Sequence, residues 1–312
     1  MIWPKGIYIA TKMLYYIDME ASQYKKLEAI ILQDISNKQE NNYFSADFSE
    51  RQVAQEIIQH FLNKKEDGGL VLKYQPKVDK NGRVRYAEVL SRYKIGDVYI
   101  HPQVLFRLIL QKGLGREVLY RQIEMVCKTM PKLQSAFGKD FCVSINVNPQ
   151  IFDKDFCRYY LSTIQKYGLS PKNIAIELLE SSNFSKVDLQ NIRALQKAGT
   201  QINLDDYGTG YATKEILQRY SFDVIKIAGE EITNIDTDPI KQQFVLQTIK
   251  YAKQTGKQVV AERVETKQEL DFLFSAGVDL VQGYIFSPAI LPEELIEKFG
   301  QNSNQIDDIK TN

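Results

Sequence analysis

Residues 173–206, NIAIELLESSNFSKVDLQNIRALQKAGTQINLDD, read as strand, helix, strand. NIAIELL (173–179) and QINLDD (201–206) are short apolar runs, while DLQNIRALQKAG (188–199) places Leu189, Ile192 and Leu195 on one helical face and ends on Gly199, a residue suited to a C-terminal cap. Two runs bridged by one amphipathic helix make the βαβ unit of a parallel sheet. The same alternation continues outward through LVLKYQP (70–76), RVRYAEVLS (83–91), FCVSINVN (141–148), FDVIKIA (222–228), QVVAER (258–263) and DLVQGYIF (279–286), giving eight runs in all. Between them lie the helical segments PQVLFRLILQKG (102–113), REVLYRQIEMVCKTM (116–130), DFCRYYLSTIQKYG (155–168), PIKQQFVLQTIKYAKQTG (239–256) and KQELDFLFSAG (267–277), which stop at or near glycines. Eight such alternations predict an α/β fold, a (β/α)8 TIM-like barrel with a short N-terminal extension; an open doubly wound sheet is the alternative arrangement of the same pattern.

The flanks divide the chain further. Residues 1–50 form an extension to which the sequence assigns no role: MEASQYKKLEAIILQDISNKQE has helical character, and NNYFSADFSE reads as a polar linker into a helix around RQVAQEIIQHFLNK. The barrel is expected over 51–300, and QNSNQIDDIKTN (301–312) is a polar tail.

Of the 312 residues, 44% are hydrophobic and 25% charged, with a formal net charge of +1; this predicts a buried core and argues against disorder and against a nucleic-acid polymer as partner. Cys127, Cys142 and Cys157 form no CxxC pair, and His60 and His101 are the only histidines, which excludes a Cys/His zinc cluster and a disulfide framework. The thiols read as small buried hydrophobes in a reducing compartment. The N-terminal MIWPKGIYIATKMLYYI carries Lys5 and Lys12 and lacks a long apolar stretch, so neither a signal peptide nor a membrane span is predicted, and the expectation is a cytoplasmic protein.

In a barrel of this kind, chemistry is built at the carboxyl ends of the strands. The residues closing the runs are Gln75, Glu88 with Arg92, Asn146, Glu177 with Glu180, Asp205 with Asp206, Lys226, Glu262 and Gln282. Four or more carboxylates meeting in one cavity repel one another strongly unless cations lie between them. Oxygen donors without imidazole or thiolate suit Mg²⁺ or Mn²⁺ rather than zinc, and the adjacent Asp205 and Asp206 would let one carboxylate bridge two ions. Blander readings exist for each position. A lone strand-end glutamate is usually a loop-capping or surface group, an Asp-Asp before glycines is usually a turn, and Glu177 with Glu180 could be the carboxylate pair of a glycosidase. Lys226 could be a lysine snorkelling over the rim, although its place between Ile225 and Ile227 points it away from two core residues. Repetition of polar groups at the same end of nearly every run favours a common site.

Eight short segments, in order from about Gly69 to Pro288, resemble the EAL domain family, the cyclic di-GMP phosphodiesterases. YQPKV resembles the family's first strand, AEVLSR its signature E-A-L-x-R, SINVN its V-N-L segment and IELLES its E-L-T-E-S. LDDYGTGYA resembles D-D-F-G-T-G-Y, VIKIA resembles L-K-I-D, VVAERVET resembles I-A-E-G-V-E-T, and VQGYIFSP resembles Q-G-Y-L-F-S-P. The resemblance implies hydrolysis of cyclic di-GMP to linear pGpG by two divalent ions. It implies that Glu88, Asn146, Glu177 and Asp205 hold the first ion, and Asp205, Asp206 and Glu262 the second or its waters. Lys226 and Glu262 are then the catalytic candidates, with Lys226 orienting and helping to deprotonate the attacking water. Arg92 would meet a substrate phosphate, Gln75 and Gln282 the substrate or a bound water, and Glu180 would anchor the loop from Asp206 that carries Gly208 and Gly210. A homodimer and a first strand antiparallel to the rest also follow from the resemblance. The sequence departs from the pattern at Ala228, where the family has aspartate, and at Arg263, where it has glycine; Val89 and Tyr207 are milder changes. The departures motivate a second reading, a catalytically weakened cyclic di-GMP receptor acting through protein contacts; a scaffold without nucleotide binding is a third.

Overall fold

A computed structural model describes residues 69–95, 98–100, 102–111, 113–148, 151–179, 185–209, 217 and 220–300. The expected helices within residues 19–64, the boundary at residue 50, Glu180, Gly210 and the tail lie outside these residues. The chain divides into two compact units, one comprising residues up to 72 together with 91–122, the other comprising 73–90 together with the chain from 123 onward.

Strands β1 (Leu70–Val78), β2 (Val84–Ile95), β4 (Cys142–Asn146), β5 (Ile174–Leu179), β6 (Ile202–Tyr207), β7 (Val224–Ile227), β8 (Gln258–Ala261) and β9 (Leu280–Val281) close a barrel in the order β1-β9-β8-β7-β6-β5-β4-β2, with β1 pairing back onto β2; all of it except residues 70–72 of β1 and 91–95 of β2 belongs to the larger unit. Neighbours from β2 through β9 are parallel, while β1 runs antiparallel to β9. Each of the eight expected runs overlaps one of these strands, although β1, β2 and β6 continue past the ends read from the sequence. β1 turns into β2 through Asp79, whose Oδ1 accepts from the backbone N–H of Asn81 at 2.8 Å and of Arg83 at 3.0 Å. Those two bonds fix the hairpin that makes the first strand antiparallel.

Alternation along the strands sorts the side chains. Ile225 and Ile227 are fully buried on the outward face of β7, beneath the helical layer, and Val224 and Lys226 point into the barrel. One level below the polar strand ends, Val224, Val260 and Leu280 pack together with Tyr86 as an apolar floor. The surrounding helices are α3 (Lys154–Lys166), α4 (Lys186–Ala198), the one-turn α5 (Gly229–Ile232), α6 (Pro239–Thr255), α7 (Lys267–Ala276) and α8 (Pro292–Phe299). Ser185 and Asp188 form a reciprocal cap at the start of α4, and Gly199 ends it with φ 104°. α2 (Gly115–Phe137) runs on through Pro131, beyond the Met130 limit read from the sequence. Ile123, Val126, Met130 and Leu133 are all fully buried along one stripe, and this packing sustains the helix where the missing N–H weakens it. Cys127, Cys142 and Cys157 are all buried, and burial pushes each thiol up to about 12.

The smaller unit contains the ends of β1 and β2, strand β3 (Val98–Ile100), α1 (Pro102–Gln111) and the first turns of α2. β3 pairs antiparallel with β2, Tyr93 opposite Ile100. It was not among the eight runs, although Gly96-Asp97 between the two strands is a hairpin dipeptide.

The last run is much shorter than the sequence suggests, since β9 covers only Leu280–Val281 of the expected 279–286. At Gly283 a β-carbon would stand 2.0 Å from the Val264 carbonyl oxygen and 2.4 Å from its nitrogen, so the chain passes too close to the end of β8 to continue a pleated ladder. It turns instead, with Phe286 N–H donating to Gly283 O at 3.2 Å. Gly283→Ala is therefore expected to destabilise the fold by about 1–3 kcal/mol, because backbone rather than a flexible side chain would have to move. A chemical-denaturation midpoint equal to that of the parent protein would contradict this packing.

Candidate metal-binding active site

The parallel ladder stacks the polar strand ends side by side. In register, Glu88 lies beside Ser144, Asn146 beside Glu177, and Leu179 beside Asp205. Lys226 reaches from β7 into the middle of this layer. Its Nζ lies 2.6 Å from Glu262 Oε1, 2.7 Å from Asp205 Oδ1, 2.8 Å from Glu177 Oε2 and 3.2 Å from Glu88 Oε2. All five side chains are within 1% of complete burial, so Lys226 does not snorkel over the rim. Burial alone would pull this ammonium down, yet Asp205, Glu177, Glu262 and Glu88 together hold it well above an ordinary lysine.

The amides complete the layer. Asn146 Nδ2 donates to Glu88 Oε1 at 2.8 Å, and Gln282 Nε2 donates to Glu88 Oε2 at 2.8 Å and to Gln75 Oε1 at 2.9 Å. Gln75 Nε2 in turn donates to Ser287 O at 3.2 Å. Gln282 Oε1 is buried and meets no hydrogen-bond donor among the described residues. An acceptor held there against the cost of desolvation suits a ligand or bound water.

One participant was missed in the sequence. Lys77, only 3% exposed, donates from Nζ to Glu177 Oε1 at 2.7 Å and to Ser144 Oγ at 2.8 Å. It stands two residues after Gln75 on β1, hence on the same strand face, and that alternation was the signal available. With one oxygen accepting from Lys77 and the other from Lys226, Glu177 is placed as an ion-pair partner of two lysines and not as one of the facing carboxylate pair of a glycosidase. Its supposed partner Glu180 lies outside the described residues.

Asp205 and Asp206 raise a geometric question, because successive residues on a strand face opposite ways. The β6–β7 register slips between Leu204 and Tyr207, and Asp206 adopts φ 55°. This bulge turns the second carboxylate back toward the first, and aspartate tolerates the left-handed region better than most residues. As a result Asp205, Asp206 and Glu262 offer oxygens that all lie within 4.8 Å of one another. Gly208 follows at φ 106°, where a β-carbon would meet Glu231 at 2.8 Å and the Phe244 ring at 3.0 Å. Tyr207 and Phe244 stack with ring centroids 5.5 Å apart.

Two lysines thus stand among Glu88, Glu177, Asp205, Asp206 and Glu262, a donor set of hard oxygens and excess negative charge that fits divalent cations of the Mg²⁺ or Mn²⁺ type. Arg92 lies four residues beyond Glu88 on β2, in the smaller unit, where its guanidinium donates to Ser91 O at 2.9 Å. At the two departures, Ala228 is fully buried and caps α5 with no side-chain hydrogen bond, and Arg263 directs Nη1 to Glu230 Oε1 at 2.7 Å.

Among the described residues, no helix is long and apolar enough to cross a membrane. The EAL domain family model matches residues 55–289. The probable cyclic di-GMP phosphodiesterase PdeA of Escherichia coli is 32% identical over 223 residues, 70% of this chain and 30% of that protein. The cyclic di-GMP phosphodiesterase PdeR of the same organism is 29% identical over 245 residues, 75% of this chain and 36% of that protein. The chain therefore spans about a third of the length of these curated relatives. Among solved structures, an EAL domain protein from Listeria monocytogenes superposes with a TM-score of 0.71 at 25% identity, covering 80% of this chain and 97% of that one. An (β/α)8 barrel whose first strand runs backward, with acidic side chains at its strand ends and a family match across most of its length, places the chain in the EAL domain family.

Proposed function

We propose that this chain hydrolyses one phosphodiester bond of cyclic di-GMP to give linear pGpG, with two divalent cations, Mg²⁺ or Mn²⁺, at the strand ends. The observation that carries the reading is the convergence of Glu88, Glu177, Asp205 and Glu262 on Lys226 within 3.2 Å. The names of the curated relatives support the substrate. Glu88, Asn146, Glu177 and Asp205 would hold the first cation, and Asp205, Asp206 and Glu262 the second. When bound, such cations polarise the phosphodiester and acidify water. The chain's own part is electrostatic and positional. Lys226 Nζ keeps its proton in the resting site because four carboxylates surround it, so in that state it acts as an ammonium that orients the attacking water and offsets developing negative charge, not as the group that takes the water's proton. Lys77 holds Glu177 by its other oxygen, Oε1. Gln282 presents its unengaged Oε1, braced by Gln75, to the substrate or a bound water. The reading includes a homodimer, which sedimentation over a range of protein concentrations tests.

Incubation of the purified protein with cyclic di-GMP and either Mg²⁺ or Mn²⁺ is expected to yield pGpG, and tight nucleotide binding without product under both metals would reject hydrolysis. The second reading, a receptor with little turnover, is favoured by Ala228, which offers no oxygen where the family pattern has a carboxylate. Ala228→Asp combined with Arg263→Gly separates the two: the enzyme reading expects no large gain in pGpG formation, the receptor reading a gain of an order of magnitude or more.

A further inference from the structure

Arg263 occupies a backbone conformation that a side chain of its size rarely adopts, φ 56° directly after Glu262. Glycine would take it without strain, but the arginine makes contacts there that glycine could not. Its stem runs along Gly229, where a β-carbon would stand 2.1 Å from Arg263 Cδ and 2.7 Å from its Cβ, so the absence of a side chain at 229 makes room for it. Its Nη1 then lies 2.7 Å from Glu230 Oε1, an ion pair with both partners partly exposed, at 17% and 25%. A pair so largely withdrawn from solvent is little screened, and it works against the strain at 263. Its position is what distinguishes it. Glu230 belongs to α5, which begins three residues after Lys226 and lacks a capping side chain at Ala228. Lys241 Nζ steadies the same helix by donating to Glu230 O at 2.5 Å and Thr233 O at 2.8 Å. On the other side of Glu262, Ala261 is held in the β7–β8 ladder opposite Ile227, and Glu262 N–H donates to Ile227 O at 3.2 Å. Glu262 is therefore fastened on both sides, by the ladder before it and by the Arg263–Glu230 pair after it.

We propose that Arg263 is a positioning residue which, through Glu230, fixes Glu262 beside Asp205 and Asp206 and so strengthens cation binding by those three carboxylates. The inference rests on the metal site proposed above and adds to it a group that touches neither cation nor substrate. It also gives Ala228 and Arg263 one explanation: the turn after β7 is held by a salt bridge from the segment that follows β8 rather than by a carboxylate cap.

The test is Mn²⁺ titration of the full chain by calorimetry and electron paramagnetic resonance, with thermal melts alongside. Arg263→Gly and Glu230→Gln are each expected to weaken binding of the second Mn²⁺ by about tenfold, the usual effect of removing a group that orients a ligand. Both should still melt in one cooperative transition, which shows that a loss of Mn²⁺ affinity is not a loss of fold. The double variant should be no worse than either single one, and Arg263→Lys should recover part of the affinity. In the hydrolysis assay the same variants should raise the half-saturating Mn²⁺ concentration while leaving the rate at saturating metal nearly unchanged. Mn²⁺ affinities within about twofold of the parent in both single variants, or losses that add in the double, would overturn the proposal. If affinities fall as expected but the parent forms no pGpG, the phosphodiesterase reading fails and the positioning role stands. If the parent hydrolyses cyclic di-GMP with unaltered Mn²⁺ affinity in the variants, the reverse holds; a parent that binds no Mn²⁺ refutes the positioning role, and one that also forms no pGpG with Mg²⁺ or Mn²⁺ refutes both.

Discussion

Lys226→Met is expected to destabilise the barrel by about 3–5 kcal/mol in the absence of divalent metal, the loss that follows when a buried charge loses its partner. Methionine nearly matches lysine in volume, so the effect is not a cavity. It arises because Glu88, Glu177, Asp205 and Glu262 would face one another across an interior from which water is excluded, and Lys77 engages only Glu177 among them. In a melt performed with chelator, the midpoint should fall by on the order of 10 °C for a domain of this size. Millimolar Mg²⁺ or Mn²⁺ should recover a substantial part of that loss, since a ligand at about a hundred times its dissociation constant contributes about 2.7 kcal/mol. Recovery by metal is the discriminating result. A melting midpoint insensitive both to the substitution and to metal would mean that the carboxylates are not charged neighbours of this lysine.

Glu88→Ala should reduce pGpG formation by a factor on the order of 10³ or more, comparable to removing one strong electrostatic contributor from a preorganised site. Glu88 has two engaged oxygens, one receiving Asn146 and the other Gln282 and Lys226. Its removal therefore frees three groups that the barrel otherwise holds in place. The companion variant Glu88→Gln keeps the size and most of the hydrogen-bonding capacity while deleting the charge. It should fold like the parent and still hydrolyse at a rate close to that of Glu88→Ala. Hydrolysis by Glu88→Gln at the parental rate would show that no cation depends on this carboxylate.

Much of this architecture is visible in the amino-acid order because the physical signals are local. The βαβ reading of residues 173–206 needs only a helical apolar stripe, a capping glycine and two short apolar runs, and the strands appear within a residue or two of those limits. The polar strand ends were equally visible, since each closes an apolar run. What escaped depends on contacts between distant segments. β3 is the exception: its pairing with the adjacent end of β2 is local, but at three residues it is too short to stand out as an apolar run. The shortness of β9 follows from the approach of Gly283 to Val264, which nothing within 279–286 announces. Lys77 looked like an ordinary charged residue on a first strand, and only the barrel's closure brings it to Glu177 and Ser144. The side on which Arg263 lies was also undetermined, because a positive φ at a non-glycine residue contradicts local preference and is sustained by Gly229 and Glu230.

The slip between Leu204 and Tyr207 makes the spacing of two neighbouring acids a property of the main chain rather than of side-chain rotamers. Exchanging Asp206 for another oxygen-bearing residue would alter which atom is offered, but not where the offering group sits. To retune which ion radius this pocket accepts, a designer would have to edit a torsion angle: lengthen, shorten or stiffen the strand exit, and leave the chemistry of the donors alone.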